Sequence, residues 1–513
     1  MTAVATPPHR PLDGEKRRTP AVITLLVLAT FVVILNETIM LNAIPNLMRS
    51  FGVTEHAAQW VSTAFMLTMA SVIPVTGWFL QRVTTRTAYA TAMGVFIAGT
   101  LISAIAPVFG VLLAGRVIQA AGTAVMMPLL MTTLMNVVDE SDRGRVMGNV
   151  TMAISVAPAL GPTLSGLILG FGSWRLLFLL VLPIAIGVAW SGLRRLENVN
   201  EPAESSVDWA SVVVAALGFG SLVYGLSRFA EGEVGLPLAI AGLGALLILG
   251  FVMRQLRLQR VGSPLLDLRA FRHSTFTKAL VLMAIAFLAM MGSMILLPLY
   301  LQTVRGLSPL YTGLLVMPGG LAMGLLGPTV GRIFDTYGGR VLVIPGSVGI
   351  VVALAGLSQI SLTTPFWLVL VLHLVLMVSL AAAFTPVFTL GLGSLPQHLY
   401  SHGSSILGTL QQVAAAFGTA LAVTVMAVRS DQVVDEVGDL AAQVSGLQAA
   451  FMVSAALALV VVAMAVLLPA RADGHEDAAE ELATESATEP DTDLDAELAE
   501  LCEHGREPAT CGC

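Results

Sequence analysis

The chain has 513 residues, of which 56% are hydrophobic and only 12% are charged. Ordinary soluble domains carry roughly 25% charged residues, so a purely soluble protein is excluded. The formal net charge of −7 comes from one end of the chain, because residues 471–513 hold 14 of the 33 acidic residues and only two arginines. The rest of the chain has 24 basic and 19 acidic residues. The negative net charge therefore says nothing about the partners of the whole protein.

Fourteen apolar runs are long enough to cross a hydrocarbon core about 30 Å thick, which takes about 20 helical residues. These runs are continuously apolar instead of alternating, which favours helices over the strands of a membrane barrel. The sequence therefore predicts an all-α polytopic membrane protein. The predicted spans are 21–44, 57–80, 88–106, 109–136, 146–170, 174–193, 209–229, 234–253, 276–301, 308–330, 341–360, 365–390, 403–428 and 447–468.

The basic residues predict the orientation of these spans. An even number of spans puts both termini on one side, and cytoplasmic loops carry an excess of lysine and arginine. With the N-terminus inside, inner loops and tails hold 20 basic residues and outer loops hold five. We therefore expect both termini in the cytoplasm and the protein in a bacterial inner membrane. The first span is too long for a removed signal peptide and is predicted to be retained.

A weak internal repeat organises the chain. Residues 77–86 follow the second span and resemble residues 331–340, which follow the tenth, at an offset of 254 residues. This offset predicts six helices, two inserted helices and six helices, with a binding site between the halves near the membrane midplane. The predicted segments are a cytoplasmic N-terminus (1–19), a six-helix bundle (20–195), the inserted pair with its loops (196–275), a second six-helix bundle (276–470) and an acidic disordered tail (471–513).

Three ionisable residues lie in the interior of the predicted spans, away from the span ends: Glu37, Arg116 and His373. Such groups are costly in a membrane and are functional candidates by default. We predict that Glu37 carries protons beside the charge of Arg116, and the alternative is a permanent structural ion pair. His373 is a further candidate for proton coupling because histidine titrates near neutral pH, although a packing role is equally compatible with the sequence.

Nothing in the sequence predicts a cofactor, a metal site or an enzyme. Neither Lys16 nor Lys278 stands in a phosphate-binding loop, so energy for any transport must come from an ion gradient or a partner. The spans hold no catalytic triad or carboxylate pair. The cysteines all lie in the tail, and their spacing with His504 is not typical of a zinc site. The residues of that tail cluster are Cys502, His504, Cys511 and Cys513.

Four motifs resemble those of the drug/proton antiporters of the major facilitator superfamily, in the fourteen-helix branch. The loop motif GxxxD[RK]xGxx[RK] is matched in the second half at Gly331, Asp335, Gly338 and Arg340, while in the first half Gln81 replaces the acid and Thr84 the glycine. Helix four carries RxxQGxG with one alanine, and helix five carries GPxxGG with one serine. The residues concerned are Gly77, Arg82, Arg86, Gly331, Asp335, Gly338 and Arg340 in the loops, Arg116 and Gln119 in helix four, and Pro158, Gly161, Pro162 and Gly166 in helix five.

The first span resembles the LDxTIVNVALP motif of this branch, with Asn36 in place of the aspartate and the acid one residue later at Glu37. Together with residues 395–403, this is similar to the lincomycin-resistance exporter subgroup. The resemblance implies a monomeric exporter of amphipathic or lipophilic drugs, including lincosamide-type antibiotics, which exchanges them for protons by alternating access. It implies no nucleic-acid partner and no cofactor beyond the proton gradient.

The family resemblance also implies a cavity lined by several helices of both halves. Methionines adapt to varied shapes and amides orient polar groups, which suits a broad substrate range. Two alternative functions share part of the evidence: an exporter of an endogenous lipid or metabolite, and a non-transporting membrane receptor, which the missing signalling domain disfavours. The candidate substrate-binding residues are Asn36, Asn42, Gln59, Phe65, Met66, Met126, Met290, Met294, Gln411 and Gln412.

Overall fold

The computed structural model describes residues 15–40, 43–199, 208–230, 235–260 and 264–469. Within these ranges the regular structure is helical, without a strand, and 14 helices are long and apolar enough to cross a membrane. The predicted fold class is therefore confirmed. The helices are α1 (Glu15–Ile39), α2 (Ile44–Phe51), α3 (Glu55–Arg82), α4 (Thr85–Ala104), α5 (Phe109–Val137), α6 (Arg143–Leu169), α7 (Arg175–Arg195), α8 (Trp209–Ala230), α9 (Gly235–Leu258), α10 (Ser274–Leu299), α11 (Pro309–Tyr337), α12 (Arg340–Leu357), α13 (Phe366–Gly393), α14 (Tyr400–Val437) and α15 (Asp439–Leu467).

The helices form two groups with a pair between them. In the first group α5 packs on α3 and α4, α7 packs on α4, and α1 packs on α5, α6 and α7. In the second group α10, α12 and α13 pack with α11, α14 and α15. The groups meet along two lines of contact, which we call the α6/α11 seam and the α3/α14 seam. We call the side where α1 begins and α15 ends the terminal side, and the opposite side the far side.

Local sequence signals set many helix ends. Thr54, Thr84 and Ser308 each accept a hydrogen bond from the backbone N–H three residues ahead, at the starts of α3, α4 and α11. Short hydroxyl side chains at this position satisfy one of the free donors of a first helical turn. Gly338, in the predicted loop motif, has φ of 81° between α11 and α12. A glycine suits this turn because residues with a Cβ rarely adopt that conformation.

The first helix ends earlier than predicted. The apolar run extends to residue 44, but α1 ends at Ile39 and the short helix α2 starts at Ile44, with Pro45 in its first turn. A proline lacks the N–H that would continue the preceding helix and restricts the residue before it. Glu37 is therefore in the last turn of α1, closer to the helix end than the predicted span placed it. Asn42, the segment 1–14 and the acidic tail lie outside the described residues.

The two inserted helices are joined by a polar network at the terminal side. Asp208, at the start of α8, accepts hydrogen bonds from Arg254 Nε (2.7 Å) and Nη2 (2.8 Å) on α9. Gln255 donates to Ser211 and accepts from the backbone N–H of Leu265. These bonds connect both helices to the segment that leads into the second group.

The inserted helix α8 contacts both groups. It packs on α3 and on α14, beside the α3/α14 seam. Ser71 of α3 donates a hydrogen bond to the carbonyl of Ala216 (3.1 Å), and the rings of Trp60 and Tyr224 lie 5.6 Å apart. The inserted pair is therefore part of the wall of the bundle.

Asp208→Asn is expected to lower the melting temperature by the same small amount from about pH 5 to about pH 8. Arg254 holds the pKa of the Asp208 carboxyl at about 2, below its usual value of 3.8. A carboxyl with such a lowered pKa contributes stability that is present above its unfolded-state pKa and is lost as the pH falls towards the folded-state value. Exposed ion pairs contribute about 0.2–1 kcal/mol. Thermal unfolding in detergent measures the difference, and a difference that changes across this pH range would contradict the assignment.

Candidate functional site

A buried arginine organises the polar interior of the first helix group. Arg116, on α5, is 1% exposed, and its Nη1 donates hydrogen bonds to Asn36 Oδ1 on α1 (3.1 Å) and to Gln119 Oε1. Its Nε donates to the carbonyl of Val61 on α3 (3.5 Å), and its guanidinium carbon lies 4.1 Å from the ring centre of Phe65. Three helices therefore fix this cation, which is costly to bury without such partners.

The spacing of the RxxQ motif, which lies on α5, explains part of this arrangement. Arg116 and Gln119 are three residues apart and so share one face of α5. Gln119 Nε2 donates to Thr100 Oγ1 on α4 (2.7 Å), which fixes the orientation of the amide. The arginine is thus held by the amide, and the amide by a fourth helix.

Glu37 stands next to this network without joining it. The residue follows Asn36 on α1, about 100° further round the helix, and its side chain is half-buried. Arg116 is the charged group that acts on Glu37, but the structure places no hydrogen bond or ion pair on the Glu37 carboxylate among the residues it describes. The arginine is bound to amide and carbonyl oxygens, and the carboxylate is left free to change its protonation state.

The motif that resembles GPxxGG lies on α6 and brings this helix against the part of α1 that carries Glu37. A Cβ added at Gly161 would overlap Thr38, whose Oγ1 also lies 3.4 Å from the carbonyl of Ala157. Pro158 and Pro162 both lie within α6, which runs unbroken past them. No heavy atom lies within 4 Å of a Cβ added at Gly166. The first glycine of the motif therefore makes room for α1, and the last one faces open space.

Gly161→Ala is expected to lower the transport rate several-fold, whereas Gly166→Ala should stay near the wild-type rate. Overpacking a close contact costs about 1–3 kcal/mol, and relief of the overlap with Thr38 has to move α1 at the residue beside Glu37. Transport assays in vesicles on matched amounts of protein compare the two variants. Equal losses in both variants would show that the motif acts in some way other than close packing.

His373 lies apart from Glu37 and Arg116. It is 3% exposed on α13, and neither ring nitrogen has a hydrogen-bond partner in the described part of the chain, although the backbone of Val316 faces it. A Cβ added at Gly319 of α11 would stand 2.7 Å from His373 Nε2. The described contacts of His373 are within the second helix group, so its role in proton coupling stays a prediction.

The candidate substrate residues fall into two sets. Asn36, Phe65 and Met126 are at most 1% exposed, and the first two are engaged by Arg116. Met66 and Met294 are 39% and 43% exposed, and the side chains of Gln59, Met290, Gln411 and Gln412 are half-buried. In this conformation only the second set is accessible, and substrate contact by either set stays a prediction.

The α6/α11 seam is a close contact between small residues, and at Gly327 and Gly331 the two helix backbones themselves meet. Four small residues recur on one face of α11 at spacings of four, three and four, and a Cβ added to any of them would stand within 3 Å of α6. Small residues allow helix backbones to approach this closely in membranes. The α11 residues are Gly320, Gly324, Gly327 and Gly331, and the facing α6 residues are Ala159, Val156, Gly148 and Gly144.

The two copies of the loop motif fasten the terminal ends of the two seams. Asp335 accepts hydrogen bonds from the backbone N–H groups of Gly144 (2.8 Å) and Arg145 (2.7 Å) at the start of α6. A carboxylate is favoured there by the free N–H groups and the helix dipole. In the first-half copy the replacing residue, Gln81, instead donates to the carbonyl of His398 ahead of α14 (2.9 Å). The departure from the motif thus preserves a contact between the groups and changes its chemistry.

The other motif positions have separate roles in packing. Gly77 lies against His402 of α14, and Gly331 lies against Gly144. Arg340 Nε donates to the carbonyl of Leu468 (2.8 Å), which ties α12 to the end of α15. The guanidinium of Arg82 lies 5.8 Å from the ring centre of Trp78, and the backbone N–H of Arg86 donates to Asn198 Oδ1 (3.3 Å).

Pairs of hydroxyl groups complete the contact between the two groups. Neutral hydrogen bonds of this kind contribute about 0.5–1.5 kcal/mol each, so they can break and re-form without trapping one conformation. The pairs are Thr76 with Ser405 (2.7 Å), Thr132 with Ser404 (2.9 Å) and Thr151 with Thr385 (3.0 Å).

Burial along α14 shows where this closure ends. Residues 400–409 are all buried, whereas residues 410–413 are all half-buried. Because consecutive residues are 100° apart, four of them cover every face of the helix, so the burial is lost on the inward face as well. The bundle is thus tightly packed on the terminal side, and this packing is relaxed around Gln411 and Gln412 before burial resumes at Ala414 and Ala415.

Comparison with known proteins identifies the architecture. Residues 26–419 match the Major Facilitator Superfamily, which is more than half of the chain. The chain belongs to the major facilitator superfamily. This confirms the family that its motifs resemble, which is a family of transporters and not of enzymes. The protein is thus a multi-pass membrane transporter that moves small molecules.

Similar proteins include members of the superfamily whose names refer to drug resistance. The lincomycin resistance protein LmrB of Listeria monocytogenes is 38% identical over 415 residues, covering 80% of this chain and 88% of that protein. The multidrug resistance protein B homolog of Mycobacterium tuberculosis is 29% identical over 437 residues, covering 81% and 79%. The human organic anion transporter MFSD10 (TETRAN) superposes with a TM-score of 0.64 at 15% identity, over 90% of this chain and all of that one, which shows a shared fold.

Sequence reasoning missed the residues that join the two groups. The hydroxyl pairs join residues 234 to 329 positions apart in the chain, and no local pattern marks them. The glycines of α11 do recur at helical spacing, which identifies a small-residue face but not the helix that packs on it. The sequence shows Gln81 as a departure from the motif, but its hydrogen bond to the carbonyl of His398 was not predictable.

Proposed function

We propose that the protein is a proton-coupled exporter of amphipathic or lipophilic compounds, including lincosamide-type antibiotics, in a bacterial inner membrane. The observation that carries this proposal is Glu37, a carboxylate inside the first span that is close to a fixed cation yet paired with nothing among the described residues. The names of the relatives, which refer to lincomycin and multidrug resistance, support the choice of substrates. The excess of basic residues on the terminal side supports a cytoplasmic location for both termini.

In the proposed cycle the closed terminal side opens as the far side closes. Glu37, in the last turn of α1, takes a proton from the far side and releases it to the cytoplasm once the seams have separated. The protonation state of a carboxyl depends on whether it faces water or protein and on nearby charge. Because Arg116 is held by Asn36, Gln119 and Val61, its position does not depend on whether Glu37 is ionised.

The driving force suffices for concentrative export. One proton that moves inward across 100 mV releases about 2.3 kcal/mol, and each pH unit adds about 1.4 kcal/mol. Every 1.4 kcal/mol corresponds to a tenfold ratio of concentrations. One proton per neutral substrate therefore sustains a gradient of tens- to hundredfold, so no nucleotide is required.

Reconstitution into liposomes tests the function directly. With the membrane potential clamped, a pH gradient is imposed, and the movement of radiolabelled lincomycin and of a fluorescent lipophilic cation is followed together with proton flux. We expect both compounds to move in the direction opposite to the protons in protein-containing vesicles and not in empty ones. Substrate flux that is unchanged when the pH gradient is collapsed would contradict proton coupling. Flux of an endogenous lipid alone would replace the drug assignment with the alternative exporter function.

A further inference from the structure

The α3/α14 seam contains a buried histidine that the proposed cycle does not use. His402 lies one turn into α14 and is 3% exposed. A Cβ added at Gly77 of α3 would stand 3.0 Å from His402 Nδ1 and 3.2 Å from Ser405 Oγ. The imidazole is thus between the two helix groups, next to the hydroxyl pair of Thr76 and Ser405.

The closed seam suits a neutral imidazole. His402 Nδ1 is fully buried and has no hydrogen-bond partner among the described residues. A protonated imidazole has N–H donors on both nitrogens, and a buried charged donor without an acceptor is costly. Across the closed seam, the described neighbours of this ring include Gly77 of α3 and the hydroxyl pair of Thr76 and Ser405.

Separation of α3 and α14 would reverse this preference. The ring would meet water on the face that Gly77 now covers. Two ionisable groups act on the ring: Asp267, from the segment before α10, and His398, which lies one turn before His402. Asp267 is buried and accepts hydrogen bonds from Gln259 and from the backbone N–H of Arg269, so its carboxylate is held in place. A fixed carboxylate favours the charged imidazole, whereas the neighbouring imidazole of the exposed His398 disfavours it.

Other charged residues on the elements that pack against α14 lie outside the described contacts of the imidazole. Those that the structure describes are Arg82 on α3, Arg116 on α5, Arg228 on α8, Lys278 on α10, Asp439 on α15, and Arg269 and Arg272 in the segment ahead of α10, together with Arg143 of α6, which donates to the hydroxyl of Tyr400.

We propose that His402 is a second proton-binding residue, which takes up a proton from the terminal side when the α3/α14 seam opens and must release it before the seam closes. The inference rests on the proposed alternating-access function and assigns the seam its own proton site, separate from Glu37. Protonation of His402 therefore holds the seam open. Acid on the terminal side shifts the transporter towards the conformation open to that side.

The expected size of this shift follows from linkage. A hydrated histidine titrates near pH 6.5, and the closed seam holds the neutral form. The ratio of open to closed molecules should then rise about tenfold between about pH 8 and about pH 5.5.

Distance measurements between spin labels test the proposal without any substrate. Thr87→Cys on α4 and Gln397→Cys ahead of α14 are exposed positions on the terminal side of the two groups, and the native cysteines 502, 511 and 513 are replaced by serine. Measurements on the reconstituted protein at a series of pH values give the populations of short and long distances. A Glu37→Gln background removes the contribution of that carboxyl.

We expect His402→Gln and His402→Asn to abolish the tenfold response, while His273→Gln, a histidine on the terminal side outside the seam, keeps it. Asp267→Asn should move the midpoint of the response to lower pH, because the charged imidazole loses its partner. A response in both His402 variants equal to that of the parent would overturn the proposal. An unchanged midpoint in Asp267→Asn would overturn the role assigned to that carboxylate.

The two proposals can fail independently. If the reconstituted protein exports drugs in response to a pH gradient but His402→Gln keeps the full conformational response, the seam site is wrong and the function stands. If no compound is transported but the response requires His402, the seam site stands and the proposed function is wrong.

Discussion

Glu37→Gln should abolish proton-driven transport. Glutamine keeps the size of the side chain and cannot carry a proton, so the pH gradient no longer contributes to export. For one proton per substrate, the accumulation ratio should fall about tenfold for each pH unit of imposed gradient. Drug-induced proton movement in proteoliposomes should disappear together with it.

The matched control is Glu436→Gln, which removes an exposed carboxylate at the far end of α14 and should leave transport unchanged. Glu37→Asp, which keeps a carboxyl one methylene shorter, should retain part of the pH response. Undiminished drug-induced proton movement in Glu37→Gln would falsify the proton-carrier role. It would also revive a purely structural role for this residue.

Gly327→Val should hold the terminal side open and reduce export by at least about tenfold. A Cβ at Gly327 overlaps the carbonyl of Gly148, and this backbone contact has no flexible side chain that can move aside. Overpacking costs about 1–3 kcal/mol, which changes the ratio of closed to open molecules by about 5- to 150-fold. Because an exporter has to return to the outward-open conformation, a seam that cannot close stops the cycle.

Gly313→Val provides the control on the same helix, since no heavy atom lies within 4 Å of a Cβ at Gly313. Spin labels at the exposed positions Asn149 and Arg332 report the width of the α6/α11 seam, and Gly327→Ala should show an intermediate shift. Thermal stability in detergent separates a conformational shift from misfolding. The same distance distribution in both valine variants would contradict a tight backbone contact in the functional protein.

The fourteen spans were predictable because continuous apolarity at membrane length is a property of each segment alone. The short list of ionisable residues within them was predictable for the same reason. The end of α1 was misplaced because the predicted span was continued past Asn42 to residue 44 on hydropathy, although Pro45 disfavours a helix through the residue before it. Local composition thus determines the membrane-spanning architecture but not all of its boundaries.

The partners of the candidate site depend on the tertiary arrangement. Glu37 was predicted to act beside the charge of Arg116, with a permanent ion pair as the alternative. The guanidinium instead binds Asn36, which the family resemblance had suggested for the substrate cavity. A buried cation satisfies its donors with whichever acceptors the neighbouring helices supply. That choice is set by the rotation of α1 relative to α5, which no spacing in the sequence specifies.

The position of α8 makes the two flanks of the transporter unequal. On one flank α8 lies over α3 and α14, whereas on the other α6 and α11 pack chiefly on each other and on helices of their own groups. A hydrophobic compound dissolved in the bilayer therefore meets a protein wall on the first flank and reaches a bare helix pair on the second. For the exporter proposed above, a compound that entered from the lipid would therefore meet unequal paths on the two flanks of a fold whose two halves are otherwise arranged alike.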